Sequence, residues 1–251
     1  MFTFQSNCDI INTVTELFIM DFYVLKWGHK YGPEYVNRLY GSLVKHYKKP
    51  FTFTCYTDNI SHLDENVKVK NIKDLKKFDT DRVFTYEKLV LMEKHEKGIW
   101  LDLDILIHDD ITELCEDDSD FKMIWNYWNN YWERSGRWYG KGSSCHVNSS
   151  FVKFDNPEWL IRFTNDNWNK IEWTYKSLDK YLFYQHHRND RLKYWNKGVV
   201  SNYNREGFKL RGCISIFNTS HIYNNKGIVE ESYELHEADK ETIDLWKSYD
   251  R

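Results

Sequence analysis

One stretch limits what this chain can fold into more than any other: Gly98-Ile99-Trp100-Leu101-Asp102-Leu103-Asp104-Ile105-Leu106-Ile107-His108. It is the most apolar run in a polar sequence, yet it carries two carboxylates. A run of Ile, Leu and Trp this dense suits a strand buried on both faces of a parallel sheet. Side chains alternate along a strand, so Asp102 and Asp104 are expected on the same side, roughly 6.5–7 Å apart at their Cα atoms. Two ionised carboxylates that close repel each other, and burial raises the cost of each. The pair therefore demands compensation. A divalent cation with oxygen ligands is the simplest form it can take; hydrogen bonds from backbone N–H groups or an arginine are the plainer one.

Periodicity on either side of this stretch sets the class. Residues 21–27 read as a strand, the Gly28-His29-Lys30-Tyr31-Gly32 loop follows, and Pro33 stands in the first-turn position that favours it in a helix. Val36, Leu39, Tyr40, Leu43, Val44 and Tyr47 recur at three- and four-residue steps, which gives that helix one core face. Residues 51–56 form a second strand closing on Thr57-Asp58-Asn59, so strand, helix and strand make a right-handed βαβ unit. Further strands are expected at 67–72, 121–125, 148–154 and 213–217. Helices are expected at 81–97 (closed by Gly98), from Pro157, around 177–187 and, on the surface, at 240–249. Residues 126–146 lose all period and suggest a long loop over the site. No repeat or linker interrupts the pattern, so we expect one α/β domain over 1–251: a Rossmann-like, mostly parallel sheet flanked by helices.

Composition bounds the partners. Lys and Arg number 35 against 38 Asp and Glu, a net charge of −3 that gives no pull toward nucleic acid. Cys8, Cys55, Cys115, Cys145 and Cys213 are odd in number and lack metal spacing, which fits reduced thiols. Residues 1–20 contain no Lys or Arg and do not read as a secretion signal, and no apolar run approaches the length of a membrane span. A cytoplasmic protein is the expectation.

In open α/β sheets ligands bind beyond the carboxyl ends of the strands. That rule collects the loop 26–31, Asp58, Asp102, Asp104 and His221 at one edge.

The order of these motifs resembles the nucleotide-sugar glycosyltransferases of the GT-A fold, particularly the family-eight-like branch and related phage, giant-virus and bacterial enzymes. The segment from Leu25 to Tyr40 is especially similar, and the likeness runs from Phe22 to about His221. It implies a donor-binding half over about 20–110, an acceptor-side half over about 111–251, and transfer of a sugar from a UDP-type donor to a glycan, protein or lipid-linked acceptor, with retention of configuration. For a viral chain the compartment would be the host cytoplasm.

Asp102 and Asp104 match the Asp-x-Asp pair, which in the family holds Mn²⁺ or Mg²⁺ against the donor diphosphate; His221 would be the late metal ligand, unless Asn218 fills that position. Leu25, Lys26, Trp27 and Tyr31 match the segment around the nucleotide base, and Asp58 faces base and ribose. Lys88 falls where the family carries a basic residue near the donor. Leu101 precedes the carboxylate pair. Asn148 and Ser149 resemble the segment lining the sugar pocket, and Asp179 the carboxylate near the reacting sugar. Departures are plain: Asn-Ser-Gly is Asn148-Ser149-Ser150 here, Asp-Gln is Asp179-Lys180, and the late motif is Phe217-Asn218-Thr219-Ser220-His221.

The plainer readings are a solvated Lys88, a turn-capping Asp58, a helix-start Asp179, surface positions for His95, His186 and His187, and core or lid packing for the tryptophans of 125–138. A non-catalytic carbohydrate-binding protein on the same scaffold is the alternative function. A phosphatase with Asp102 as nucleophile is disfavoured because Ile105-Leu106-Ile107 prolongs the apolar run, and a pyrophosphorylase because the first strand lacks a glycine-rich phosphate loop.

Overall fold

Strand β1 (Met20–Lys26) lies at the heart of the sheet because almost every side chain along it is apolar and finds a core on its own side. Met20, Phe22 and Val24 enter one apolar cluster, while Tyr23 and Leu25 enter another on the opposite face. The computed structural model describes residues 19–75, 86–129, 145–175, 177–217, 222–223, 229–230 and 235–251.

β1 is flanked in parallel by β2 (Phe51–Thr57) and β4 (Lys97–Leu101), and β3 (Lys68–Asn71) adds in parallel beyond β2. Outside β4 come β7 (Val147–Asp155), β6 (Phe121–Trp125) and β8 (Leu192–Tyr194), giving the order β3-β2-β1-β4-β7-β6-β8. β7 runs antiparallel to both neighbours, and β8 is parallel to β6. Six of the seven strands thus point the same way, as expected for a mostly parallel sheet.

Helix α1 (Pro33–His46) opens with proline in its first turn and packs Tyr35, Val36, Leu39 and Leu43 against the first face. The second face is covered by α2 (Glu87–His95), which places Leu89, Leu91 and Met92 against Tyr23 and Trp100, and by residues of two helices that follow the short α3 (Thr112–Cys115). These are α4 (Glu158–Thr174) and α5 (Leu178–His186), the latter capped by the Ser177 side chain. The tail helix α6 (Lys240–Lys247) is more than a surface element: Trp246 is buried, with Tyr35 at 4.8 Å between ring centres and the Arg38 guanidinium 4.2 Å above it.

Three expectations are corrected. Residues 98–108 are not one strand: β4 ends at Leu101, Asp102 to Asp104 form a turn, and β5 (Ile105–Ile107) joins a second sheet with β10 (Ile214–Ile216) and β9 (Val200–Asn202). The apolar run is continuous because both short strands are buried, each in a different sheet. A last pair, β11 (Ile222–Tyr223) and β12 (Val229–Glu230), is antiparallel. Gly98 does not close a helix: α2 ends at His95, Glu96 takes the positive φ of 58°, and Gly98 lies inside β4. Gly98 is needed there because a Cβ would stand 2.8 Å from the Asp21 carbonyl and 2.5 Å from the Tyr23 ring. The start of the expected 81–97 helix lies outside the described residues, whereas its inward Tyr86, Leu89 and Val90 are buried. His186, finally, is a core residue that hydrogen-bonds the Tyr181 hydroxyl at 3.0 Å.

Burial pushes His95, His108 and His186 down from 6.5 to about 4. The unfolded chain binds these protons below about 6.5 while the folded chain refuses them down to about 4. Their contribution is therefore intact above pH 6.5 and is lost as pH falls toward 4. Urea unfolding midpoints should drop across that window, and His186→Gln should flatten the slope by an amount on the order of 1–2 kcal/mol between pH 7 and pH 4.

Candidate active site

The carboxyl edge of the parallel strands carries a buried ion pair at its centre. Lys88, the second residue of α2, is 7% exposed and places Nζ 2.7 Å from Asp102 Oδ1 and 3.0 Å from Oδ2. The same Nζ donates to the carbonyl and the hydroxyl of Ser149, each at 3.1 Å. Trp100, two residues before Asp102 and so on its side of the strand, donates its indole N–H to Asp102 Oδ1 at 2.7 Å, and its ring lies 5.1 Å from the ammonium. The compensation demanded by the carboxylate is thus a lysine and an indole rather than an arginine.

β7 supplies the next contacts because it is antiparallel to β4, so its first residues stand beside the end of β4. Leu101 pairs with Phe151, the Asp102 amide donates to the Ser150 carbonyl at 2.9 Å, and the Asn148 side chain accepts from the Ser150 amide at 2.8 Å. The Ser149 amide donates to Asp179 Oδ1 at 3.0 Å. Asp179 sits in the first turn of α5, where burial raises its carboxyl above the usual range while Lys88 and the Ser149 hydrogen bonds pull it back. Trp100, Asp102, Lys88, Ser149 and Asp179 therefore form one connected polar chain across β4, α2, β7 and α5.

Asp104 occupies the far side of the turn. Its carbonyl accepts the Phe217 amide at 2.8 Å, which ties the turn to the end of β10. Burial first, and the Asp102 charge second, push its carboxyl up to about 7 against the pull of Lys30 and Lys88. The remaining candidates surround this edge unevenly. Leu25 and Leu101 are buried core residues, Trp27 is half-buried against the second cluster, and Lys26 is buried at the end of β1. Tyr31 packs on Tyr35 at 4.8 Å with the Lys30 ammonium 4.6 Å from its ring. Asp58 is exposed and accepts the Gly28 amide at 2.9 Å, stapling the loop after β2 to the loop after β1. Asn218 and His221 lie outside the described residues, as does 130–144. Of the tryptophans of that region, Trp125 stacks on His146 at 5.5 Å and Trp128 is buried.

Can this set hold a divalent cation? Among the described residues no group of three or more His, Cys, Asp or Glu is arranged for a metal. Asp102 and Asp104 offer hard oxygens at one turn: Asp102 Oδ1 is occupied by Trp100 and Lys88, whereas Oδ2, which meets only Lys88, keeps a lone pair. That suits a cation bound through one or two carboxylates with substrate phosphates and water completing the shell, as Mg²⁺ commonly is. Trp100 is the participant that motif reasoning passed over; its i−2 spacing from Asp102 was the available signal.

No protein-family model and no curated protein matches the chain. Solved structures do. The galactosyltransferase LgtC, determined with donor and acceptor sugar analogues, superposes with a TM-score of 0.56 at 15% identity, covering 91% of this chain and 96% of its own. The bifunctional glycosyltransferase WbbM gives 0.60 at 11% identity over 95% of this chain, which spans 50% of WbbM. Mouse xyloside xylosyltransferase 1 gives 0.51 at 13% identity, covering 80% of this chain and 98% of the mouse chain. The fold is GT-A. Within that GT-A frame the Asp102 to Asp104 turn follows the fourth strand of the main sheet, at the edge where its parallel strands end.

Removing one partner of the buried pair should cost more than removing both. Lys88→Met or Asp102→Asn alone is expected to destabilise by about 3 kcal/mol, since each strands a desolvated partner. The double variant should fall well short of the sum in urea titrations, and strict additivity would contradict the coupling.

Proposed function

We propose that the chain is a glycosyltransferase that moves a sugar from a UDP-type nucleotide-sugar to a glycan, protein or lipid-linked acceptor, with Mn²⁺ or Mg²⁺ bound at Asp102 and Asp104. The observation that carries this is the polar chain from Trp100 to Asp179 converging beside Asp104, on a GT-A frame, at the edge where α/β sheets take their ligands. The cation would offset the charge that the leaving nucleoside diphosphate gains as the glycosidic bond breaks.

The chain's own residues have distinct tasks in this reading. Lys88 and Trp100 hold Asp102 in one orientation, so the free lone pair of its Oδ2 is presented without a search over rotamers. Asn148 and Ser149 line the space between Asp102 and Asp179, and the Ser149 amide aims the Asp179 carboxyl. Asp179 then stands where it can accept a hydrogen bond from a sugar hydroxyl, or stabilise positive charge building at the anomeric carbon. Among the described residues we assign none the task of deprotonating an acceptor, in keeping with retention of configuration. The whole chain acts as one domain, with donor contacts from about 20–110 and acceptor contacts from about 111–251. No helix among the described residues is long and apolar enough to cross a membrane; a cytoplasmic setting completes the proposal.

The second reading, a non-catalytic carbohydrate-binding protein, is favoured by one specific feature: Lys88 already neutralises Asp102 without any metal. Turnover separates the two. Purified protein with Mn²⁺ should slowly hydrolyse a UDP-sugar, and Asp104→Asn should lower that rate by about 100-fold or more, the usual scale for losing a group that stabilises transition-state charge. UDP binding that is tightened by Mn²⁺ in the parent should lose that dependence in both Asp102→Asn and Asp104→Asn. Full Mn²⁺ dependence in both variants would end the metal role.

A further inference from the structure

Lys26 is the last residue of β1 and is 4% exposed, yet among the described residues its ammonium has neither a hydrogen-bond partner nor an ion-pair partner. That is an unusual position for a lysine. Nearly buried lysines are normally paired, because an unpaired charge out of water is costly. Lys88, a strand away, shows the ordinary solution with its carboxylate and two serine oxygens.

The neighbours of Lys26 offer no counter-charge. Cys55, whose charged form Lys26 would favour, is held as a thiol because burial pushes it up to about 12. Thr57, its register partner on β2, turns its hydroxyl to the Asn59 carbonyl. Asp58 is engaged with the Gly28 amide, and Asp102 lies toward the other face with Trp100 and Lys88. Lys26 shares the side of β1 that carries Phe22 and Val24, the face covered by α1.

Its height along the sheet is equally specific. β1 and β4 are parallel with Phe22 opposite Ile99 and Tyr23 opposite Trp100, and both end at the same edge of the sheet, β1 at Lys26 and β4 at Leu101 just before the turn of Asp102 to Asp104. Adjacent strands are about 4.8 Å apart. A cation with no counter-ion among the described residues therefore stands at the end of the strand beside β4, at the edge where the ligand is expected.

We propose that Lys26 receives an anionic group of the bound ligand, namely the diphosphate of the nucleotide, and that the site is charge-complete only when that anion is present. This deepens the donor-binding reading and rests on it. An ammonium on a side chain this buried has little hydration to lose and gains a strong charge-assisted contact to a phosphate oxygen. The alternative role, an aliphatic stem that merely packs while its tip reaches solvent, makes opposite demands on the charge.

Lys26→Met keeps the stem and removes the charge, so it separates the two. Isothermal titrations of UDP, inorganic pyrophosphate and uridine into the full chain and into Lys26→Met, at low and moderate salt with Mg²⁺ present, supply the readout, with urea unfolding alongside. We expect the affinity for UDP and for pyrophosphate to fall 10-fold or more in the variant, uridine to be little changed, and the unfolding midpoint to stay level or rise because an unpaired charge has been removed. Lys26→Arg should recover part of the loss. Equal UDP and pyrophosphate binding by parent and Lys26→Met would overturn the role of Lys26 while leaving the donor site standing. A loss confined to uridine would overturn the anionic contact. Absence of UDP and pyrophosphate binding in the parent chain would remove both this inference and the donor reading beneath it.

Discussion

A lysine ammonium surrounded by protein is best matched by a carboxylate in nearly ideal geometry, and in this molecule Lys88 finds that match in Asp102. The pair joins three elements that the chain makes separately. α2 contributes the cation, the end of β4 the anion, and the start of β7 the two Ser149 oxygens that complete the ammonium's shell. Through the Ser149 amide the same network reaches Asp179 at the start of α5. Remote segments are thereby held to one another by directional contacts instead of by apolar packing alone. Such networks add little net stability, since desolvation offsets most of the attraction, but they fix orientation. For Asp102 orientation is what a ligand site needs.

The arrangement depends in turn on the direction of β7. Were β7 parallel to β4, its opening residues would lie at the opposite edge, far from the carboxylates. Because it is antiparallel, Val147 to Ser150 meet the end of β4, and an amino-terminal strand segment joins the carboxyl-edge loops. Gly98 permits the close approach behind this junction, where Asp21 and Tyr23 of β1 leave no space for a Cβ. The edge then carries contrasting charges: a neutralised Asp102, an Asp104 whose carboxyl is pushed upward by burial, and a Lys26 with no counter-ion among the described residues. An anion entering between Lys26 and a cation at Asp102 and Asp104 would satisfy all of them together.

Much of the scaffold was legible because local signals agreed with the tertiary outcome. Pro33 began its helix, the three- and four-residue recurrence of Val36, Leu39 and Leu43 marked its buried face, and the helix expected around 177–187 is the one that carries Asp179. Where the sequence misled, two structures shared one signal. The unbroken apolar run from Ile99 to Ile107 looked like a single strand, but burial in either of two sheets selects the same side chains, and hydrophobicity alone cannot show where the chain turns. His186 looked like half of an exposed His pair, yet the hydroxyl of Tyr181 and the surrounding rings of Trp159 and Phe163 make it a core residue.

What the sequence determined by itself was the alternation of strands and helices, the polar ends of those strands and the placement of two carboxylates within an apolar segment. These follow from periodicity and turn chemistry, which act over a few residues. What tertiary structure alone decided was how the charges are matched. Lys88 and Ser149 are sixty-one positions apart, and nothing local distinguishes a lysine that pairs with Asp102 from one that faces solvent, or predicts that Lys26 is enclosed with no counter-ion among the described residues. Pairing and burial are properties of the assembled layers, because the dielectric around a charge is set by the side chains that close over it. The two aspartates were visible as a demand for compensation; that Asp102 is answered by Lys88 and Trp100 was settled by the folded sheet.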